Sequence, residues 1–170
     1  EQMAQRLEIV SAERIRAELE RLLLSPYPRR GLELLVHTGI CDIVLPEVSA
    51  LQDTVDEHRR HKDVYEHTLT VLQQAMDLET GPDGDVPGPD LRLRLAALMH
   101  DIGKPATRRF MPDGTVTFHA HDYVGARMTA KRMRALHFDK QTIKDVSRLV
   151  ELHLRFHGYA DSPWSDSAVR

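Results

Sequence analysis

The sequence predicts an all-α fold, a helical bundle carrying a small β-hairpin insertion and preceded by a short helical hairpin. Three observations of the residues support the helical class. Apolar residues recur at helical spacing in several long segments, glycine and proline clusters separate those segments, and one Pro-Asp-Gly turn joins two short runs of strand character. At 170 residues, 41% of them hydrophobic and 29% charged, the chain can bury a core of its own. A net charge of -3 excludes a bulk polycation, so nucleic-acid contacts must come from local patches. The single cysteine, Cys41, excludes an internal disulfide. No stretch approaches the roughly eighteen apolar residues of a membrane span, so no membrane partner and a reducing, cytoplasmic setting are expected. No feature sets an oligomeric state. The start at Glu1 and the closing "SDSAVR", which reads as a helix start capped by Ser165 or Asp166, are expected of a piece of a longer protein.

In chain order, "SAERIRAELERLLL" opens with Ser11 as an N-cap and places Ile15, Leu19, Leu22 and Leu23 on one helical face. Pro26 and Pro28 end that helix, a second runs from about Arg30 to His37, and Gly39 closes it. "CDIVLPEV" reads as a turn whose Ile43, Val44 and Leu45 pack back on the pair. The next helix begins near Lys62 and breaks at "TGPDGDVPGPD", an exposed loop. Leu91 to His100 forms another helix. "RRFMPDGTVTF" then reads as a hairpin pairing Arg108 to Met111 with Thr115 to Phe118. Helices follow from about Asp122 to Leu136 and from Lys140 to about Arg155. The expected division is residues 1–55, a helical segment, and 56–170, the bundle.

Ten histidines are the compositional anomaly, and several fall at helix ends or on apolar faces. His153 continues a stripe of Ile143, Val146, Leu149 and Val150, and His67, between Val64 and Val71, lies on or beside the inward face of its helix. "LAALMHDIGKPATRRF" ends a buried helix on His100 and Asp101, where an unpartnered carboxylate would be costly. Lys104 or Arg108 could compensate it in a purely structural reading. His119 and His121 follow the hairpin, and His121 can point into the same space. A divalent cation would satisfy several half-buried imidazoles and a carboxylate together. His100 and Asp101, about 100 degrees apart on a regular helix, can share a cation only if the helix end loosens, which Gly103 and Pro105 permit.

The spacing of His67 and His100-Asp101 resembles the HD superfamily of metal-dependent phosphohydrolases, with His121 and His153 similar to additional histidines of some members. The blocks "HKDVYEHTLTVL", "LRLAALMHDIGKPATR", "FHAHDYVGARMTAKRMRAL" and "LVELHLRFHGY" resemble the HD domain attached to bacterial CCA-adding tRNA nucleotidyltransferases of the poly(A) polymerase-like class. "ERIRAELERLLLSPYPRRGLELLVHTGICDIVLPE" resembles the helical RNA-binding segment that precedes it. The resemblance covers nearly the whole chain from about Ser11. It implies His67, His100 and Asp101 as metal positions, with His121 and His153 as further ligands, for a divalent ion that is nickel, manganese, zinc, iron or magnesium. The family's later aspartate is not matched by Asp161 or Asp166 and is expected beyond Arg170. Magnesium and nucleoside triphosphates are implied only for a polymerase portion. This sequence has neither its Gly-Ser turn nor its strand, and its one Asp-x-Asp, Asp83 and Asp85, reads as solvated loop.

With a metal held, the expected chemistry is phosphoester hydrolysis on cyclic phosphates or on nucleotide or RNA phosphate ends, with Asp101 as ligand and water-orienting group and Lys104 neutralising phosphoryl charge. tRNA is the expected partner. Arg29, Arg30, Arg108, Arg109, Lys131 and Arg134 are the candidate RNA contacts, with Arg127 and Arg132 beside them. The bland alternative for each is a solvated helix face. Two other functions stay open: a non-catalytic tRNA-binding module with a structural or empty metal site, and a free-standing HD nucleotidase.

Overall fold

A computed structural model describes residues 4–55, 64–81 and 84–156. After a short 3₁₀ segment, α1 (Ala12–Leu24) turns Leu19 and Leu23 into the core. α2 (Pro28–His37) begins two residues earlier than expected, because Pro28 occupies its first turn, where a missing N–H costs nothing. Gly39 follows at φ +75, the left-handed conformation that ends helices most cheaply when the residue has no Cβ. The expected turn at "CDIVLPEV" is instead two short helices, α3 (Ile40–Val44) and α4 (Pro46–Ser49). Pro46 sets the φ of the second, and Val44, Leu45 and Val48 are buried. Cys41 lies in this layer, where burial pushes its thiol up to about 12.

α5 (Val64–Asp77) buries Val64, Leu69 and Leu72; the expected start at Lys62 lies outside the described residues. α6 (Leu91–Met99) is capped by Asp90, whose carboxylate accepts from the N–H groups of Arg92 (2.8 Å) and Leu93 (3.3 Å). It is buried at every position from Arg94 to Met99, as befits a helix packed between α5 and α9 with α1 across it. A single turn, α7 (Lys104–Thr107), leads to the hairpin of β1 (Arg109–Phe110) and β2 (Val116–Thr117). The strands are shorter than expected, pairing Arg109 with Thr117 and Phe110 with Val116, and Gly114 at φ +80 closes the turn.

α8 (His121–Ala135) and α9 (Lys140–Leu152) form an antiparallel pair, with Asp139 capping α9 through the N–H groups of Gln141 (3.0 Å) and Thr142 (2.9 Å). α9 passes into a 3₁₀ turn, His153–Phe156. Its inward stripe is Ile143, Val146 and Val150; Leu149, expected there, is 45% exposed because it lies about 100 degrees around the helix from Val150. A contiguous apolar core joins α1 and α2 to α5, α6, α8 and α9. A buried charged group fastens two of its parts. Arg94 donates to the carbonyls of Leu23 (2.6 Å) and Ser25 (3.0 Å) and forks onto both oxygens of buried Glu79, so it fastens the end of α1 to the α5–α6 connection.

Candidate metal centre

α6 loosens at its end as the site requires. His100 is its C-cap, and tight turns follow: Ile102 N–H donates to Met99 O (3.3 Å) and Lys104 N–H to Asp101 O (2.9 Å). Neighbouring side chains that a regular helix would separate therefore converge, with His100 Nε2 3.1 Å from Asp101 Oδ2. Gly103 lets this turn press against α8. A Cβ there would stand 2.1 Å from the carbonyl oxygen of His121 and 2.7 Å from the backbone nitrogen of Gly125. Gly103→Ala must therefore push α8 away from Asp101; an overpacking loss of about 1–3 kcal/mol is expected in denaturant unfolding, together with weakened metal retention in equilibrium dialysis. Across the gap, Ala120 at φ +59 turns the chain so that α8 starts with His121 in the site.

Four imidazoles face the Asp101 carboxylate, whose side chain is 2% exposed. His67 and His100 stand 3.8 and 3.1 Å from Oδ2 through Nε2, while His121 and His153 stand 3.2 and 3.8 Å from Oδ1, also through Nε2. His67, His100 and Asp101 form one group able to hold a metal ion, and Asp101, His121 and His153 a second. Asp101 thus offers one oxygen to each.

The opposite face of three rings is fixed by main chain. Nδ1–H of His100 donates to Ala97 O (2.9 Å), that of His121 to Phe118 O (2.9 Å), and that of His153 to Val150 O (2.7 Å). A carbonyl can only accept, so Nδ1 carries the proton in each, and in the neutral ring Nε2 presents its lone pair inward. Two such atoms, on His121 and His153, lie 3.2 Å apart. Lone pairs this close to one another and to a carboxylate require a cation between them. A proton on His121 meets part of that demand, and a divalent ion meets all of it. The fit is strengthened by Asp101 Oδ2, which is buried and accepts no well-directed hydrogen bond although Lys104 Nζ lies 3.0 Å away.

The electrostatics agree. Burial would raise the Asp101 carboxyl, but the surrounding imidazoles and the Lys104 ammonium hold it far below the usual carboxylate range. Burial lowers His121, yet Asp101 and the Phe118 carbonyl outweigh it and raise its pKa. His153 is lowered to about 4, chiefly by burial, and stays neutral. Lys104 is itself buried, with its ammonium 5.5 Å from the Phe118 ring centroid. Of the two cations considered for Asp101, it is Lys104 that pairs with the carboxylate, whereas Arg108 donates to Asp53 O (3.1 Å) and stacks on Phe110. His119 is exposed on the preceding turn.

The basic candidates separate by environment. Arg29 is engaged by Glu33 (2.9 Å) and Glu66 (2.6 Å), and Arg132 is held by both oxygens of Glu47. Arg30, Arg109, Lys131 and Arg134 are exposed. Asp83, Asp161 and Asp166 lie outside the described residues. Sequence reasoning named Gly103 for the loosened helix end but missed its close approach to α8, and it missed the Phe118 carbonyl that holds His121 and three exposed cations of α9, Lys140, Lys144 and Arg148; the i, i+4, i+8 spacing of the last three was a usable signal.

Residues 64–167 match the family model described as HD domain, more than half of the chain. The chain belongs to the HD domain family. Residues 1–51 match a second model, described as probable RNA and SrmB-binding site of polymerase A. The HD-family chain is 38% identical over 152 residues to an A-adding tRNA nucleotidyltransferase of Deinococcus radiodurans, covering 89% of this chain and 33% of that protein. It is 38% identical over 143 residues to a CC-adding tRNA nucleotidyltransferase of Thermus thermophilus, covering 84% and 31%. A multifunctional CCA protein of Neisseria gonorrhoeae is 32% identical over 148 residues, covering 86% and 33%. The chain spans about a third of the length of these relatives, and its HD region lies beside an RNA-binding-type segment, in the order that its sequence implied.

Proposed function

We propose that this chain is the RNA-binding and HD portion of a cytoplasmic tRNA nucleotidyltransferase, divided at about residue 55, and that its HD portion hydrolyses phosphoesters at a metal centre built from His67, His100, Asp101, His121 and His153. The observation that carries the reading is the convergence of four Nε2 atoms on Asp101, three of them aimed by Nδ1 hydrogen bonds to main-chain carbonyls. Fixed imidazoles around a buried carboxylate suit zinc, nickel, iron or manganese more than magnesium, which prefers oxygen ligands.

A divalent ion held by His67, His100, Asp101, His121 and His153 would supply a water of lowered pKa and polarise a phosphoryl oxygen. The chain's own groups do the rest. Asp101 accepts a hydrogen bond from the attacking water and sets its direction. Lys104 Nζ, 3.0 Å from Asp101, neutralises charge on the phosphoryl oxygens. In a 2′,3′-cyclic phosphate the water oxygen would bond to phosphorus as the bond to one ribose oxygen breaks, and the proton the water gives up would end on that ribose oxygen. The neighbouring RNA-binding-type match, together with the names of the relatives, supports tRNA or RNA phosphate ends as the substrate class and disfavours a free-standing nucleotidase. Among the described residues no helix is long and apolar enough to cross a membrane.

A second reading has a specific observation in its favour. Lys104 already compensates Asp101, as a structural ion pair in a non-catalytic tRNA-binding module would. Hydrolysis of a 2′,3′-cyclic nucleotide by the metal-loaded chain separates the two: turnover that chelator removes and metal restores supports the phosphohydrolase, and metal retention without turnover supports the binding module.

A further inference from the structure

Behind the metal centre, α8 and α9 enclose a groove of about 1450 Å³. Its α8 wall carries Arg127, Lys131 and Arg134, and its α9 wall carries Lys140, Lys144 and Arg148, all exposed. The two helices and their connection hold four carboxylates, of which only Glu151 lines the groove, where it pairs with Arg148 (2.9 Å). Asp139 is used as the α9 cap, Asp145 takes Arg92 (3.4 Å), and Asp122 lies outside the lining. A solvated helix face would mix its signs, as these same helices do elsewhere. Here the cations are sorted to one side of a chain whose net charge is -3.

The arrangement along the walls is equally particular. The α8 cations stand at i, i+4 and i+7 and the α9 cations at i, i+4 and i+8, so each wall repeats its charge at steps of roughly 6 Å. Between the walls the floor is apolar, with Phe138 and Ile143 buried, while the Tyr123 ring is 55% exposed and has the Arg127 guanidinium 5.9 Å from its centroid. Two rows of point charges flanking an aromatic, apolar floor suit a polyanion that also carries flat rings, with its phosphates on the walls and its bases on the floor. An acidic peptide would use only the charges.

The groove also has a direction. His121 and His153 meet at 3.2 Å, which places the histidine-bearing ends of both helices together and the Leu136–Asp139 connection at the far end. Tyr123 and Glu151 line that end of the groove, two residues from those histidines and so turned to the other face of their helices. We propose that the α8–α9 groove is a track for single-stranded RNA, one end of which lies beside the histidine-bearing ends of the two helices. The proposal rests on the RNA-phosphate reading above and deepens it by naming the path of the strand.

The test is fluorescence anisotropy of a labelled RNA strand of about ten nucleotides ending in a 3′ phosphate, within single-strand site sizes, measured in EDTA so that metal chemistry does not enter. Lys140→Gln/Lys144→Gln and Lys131→Gln/Arg134→Gln are each expected to weaken binding on the order of tenfold and to flatten the log–log salt slope by roughly 1.4, about 0.7 for each phosphate no longer neutralised. Tyr123→Ala is expected to weaken binding about fivefold or more with the slope unchanged, as loss of a stacking platform would. Circular dichroism melts of the variants check that the helices persist. Variants that bind with wild-type affinity and slope would overturn the groove while leaving the RNA reading standing. A wild-type chain that binds no RNA would overturn both, and competition by polyglutamate as strong as by RNA would make the occupant an acidic polypeptide.

Discussion

Asp101→Asn is expected to lower metal affinity by more than about a hundredfold, beyond the 10–100-fold that even outer-shell partners of metal ligands typically contribute, and to remove cyclic-phosphate hydrolysis with it. Asp101 is the one residue shared by both histidine groups, so its loss deprives each of its oxygen ligand at once. The same change has a structural cost. Lys104, whose side chain is 10% exposed, loses the carboxylate 3.0 Å away, and breaking a buried pair from one side typically costs about 3–5 kcal/mol. The two consequences can be told apart with Asp101→Asn/Lys104→Met, which removes the stranded cation. The double variant is expected to recover much of the thermal stability and none of the metal binding. If instead Asp101→Asn alone retained stoichiometric metal, the carboxylate would be only the counter-ion of Lys104.

The second large effect is on stability and lies away from the site. Arg94→Met is expected to cost about 3–5 kcal/mol in denaturant unfolding, because it strands a buried carboxylate and leaves the Leu23 and Ser25 carbonyls without their donor. The pH dependence identifies the cause. Hydrogen bonding from Arg94 holds the Glu79 carboxyl below the ordinary glutamate range, so wild type has this stabilisation in full above that range and loses it as pH falls through the depressed value. In the variant, buried Glu79 has no guanidinium and protonates more easily, so its penalty shrinks on acidification. Urea midpoints of the two chains should therefore converge as pH falls through the carboxylate range. A gap independent of pH would mean that Arg94 acts through packing alone.

Much of this was legible from local chemistry. Periodicity located α1, α5, α8 and α9, because each buries one face and exposes the other. The Pro-Asp-Gly turn located the hairpin, since Gly114 supplies the positive φ that its closure requires. The candidate histidines could be singled out because an imidazole continuing an apolar stripe, as His153 does after Val150, is unusual without a partner. What stayed hidden depended on tertiary approach. Nothing local marks Gly103 as the point where a turn meets the His121 carbonyl, or Arg94, in an apolar run, as a fastener between α1 and Glu79. The "CDIVLPEV" segment misled because a proline reads as a break, whereas at the first turn of α4 it begins a helix. The basic residues of α8 could be named from sequence, but only packing separates Arg132, bound to Glu47, from Lys131 and Arg134 on the groove. Their partners on α9 belong to the same surface only because the two helices are antiparallel.

The measurement that bears most directly on the central claim is elemental analysis of the chain after loading with manganese, nickel or zinc and exhaustive dialysis. A cluster of four inward Nε2 atoms around Asp101 should retain at least about one ion per chain with one of these metals, since its lone pairs need a cation to be satisfied together. Retention of less than about a tenth of an ion with all three, on the same reasoning, would contradict the metal centre and leave His121 and Lys104 as the only cations that Asp101 requires.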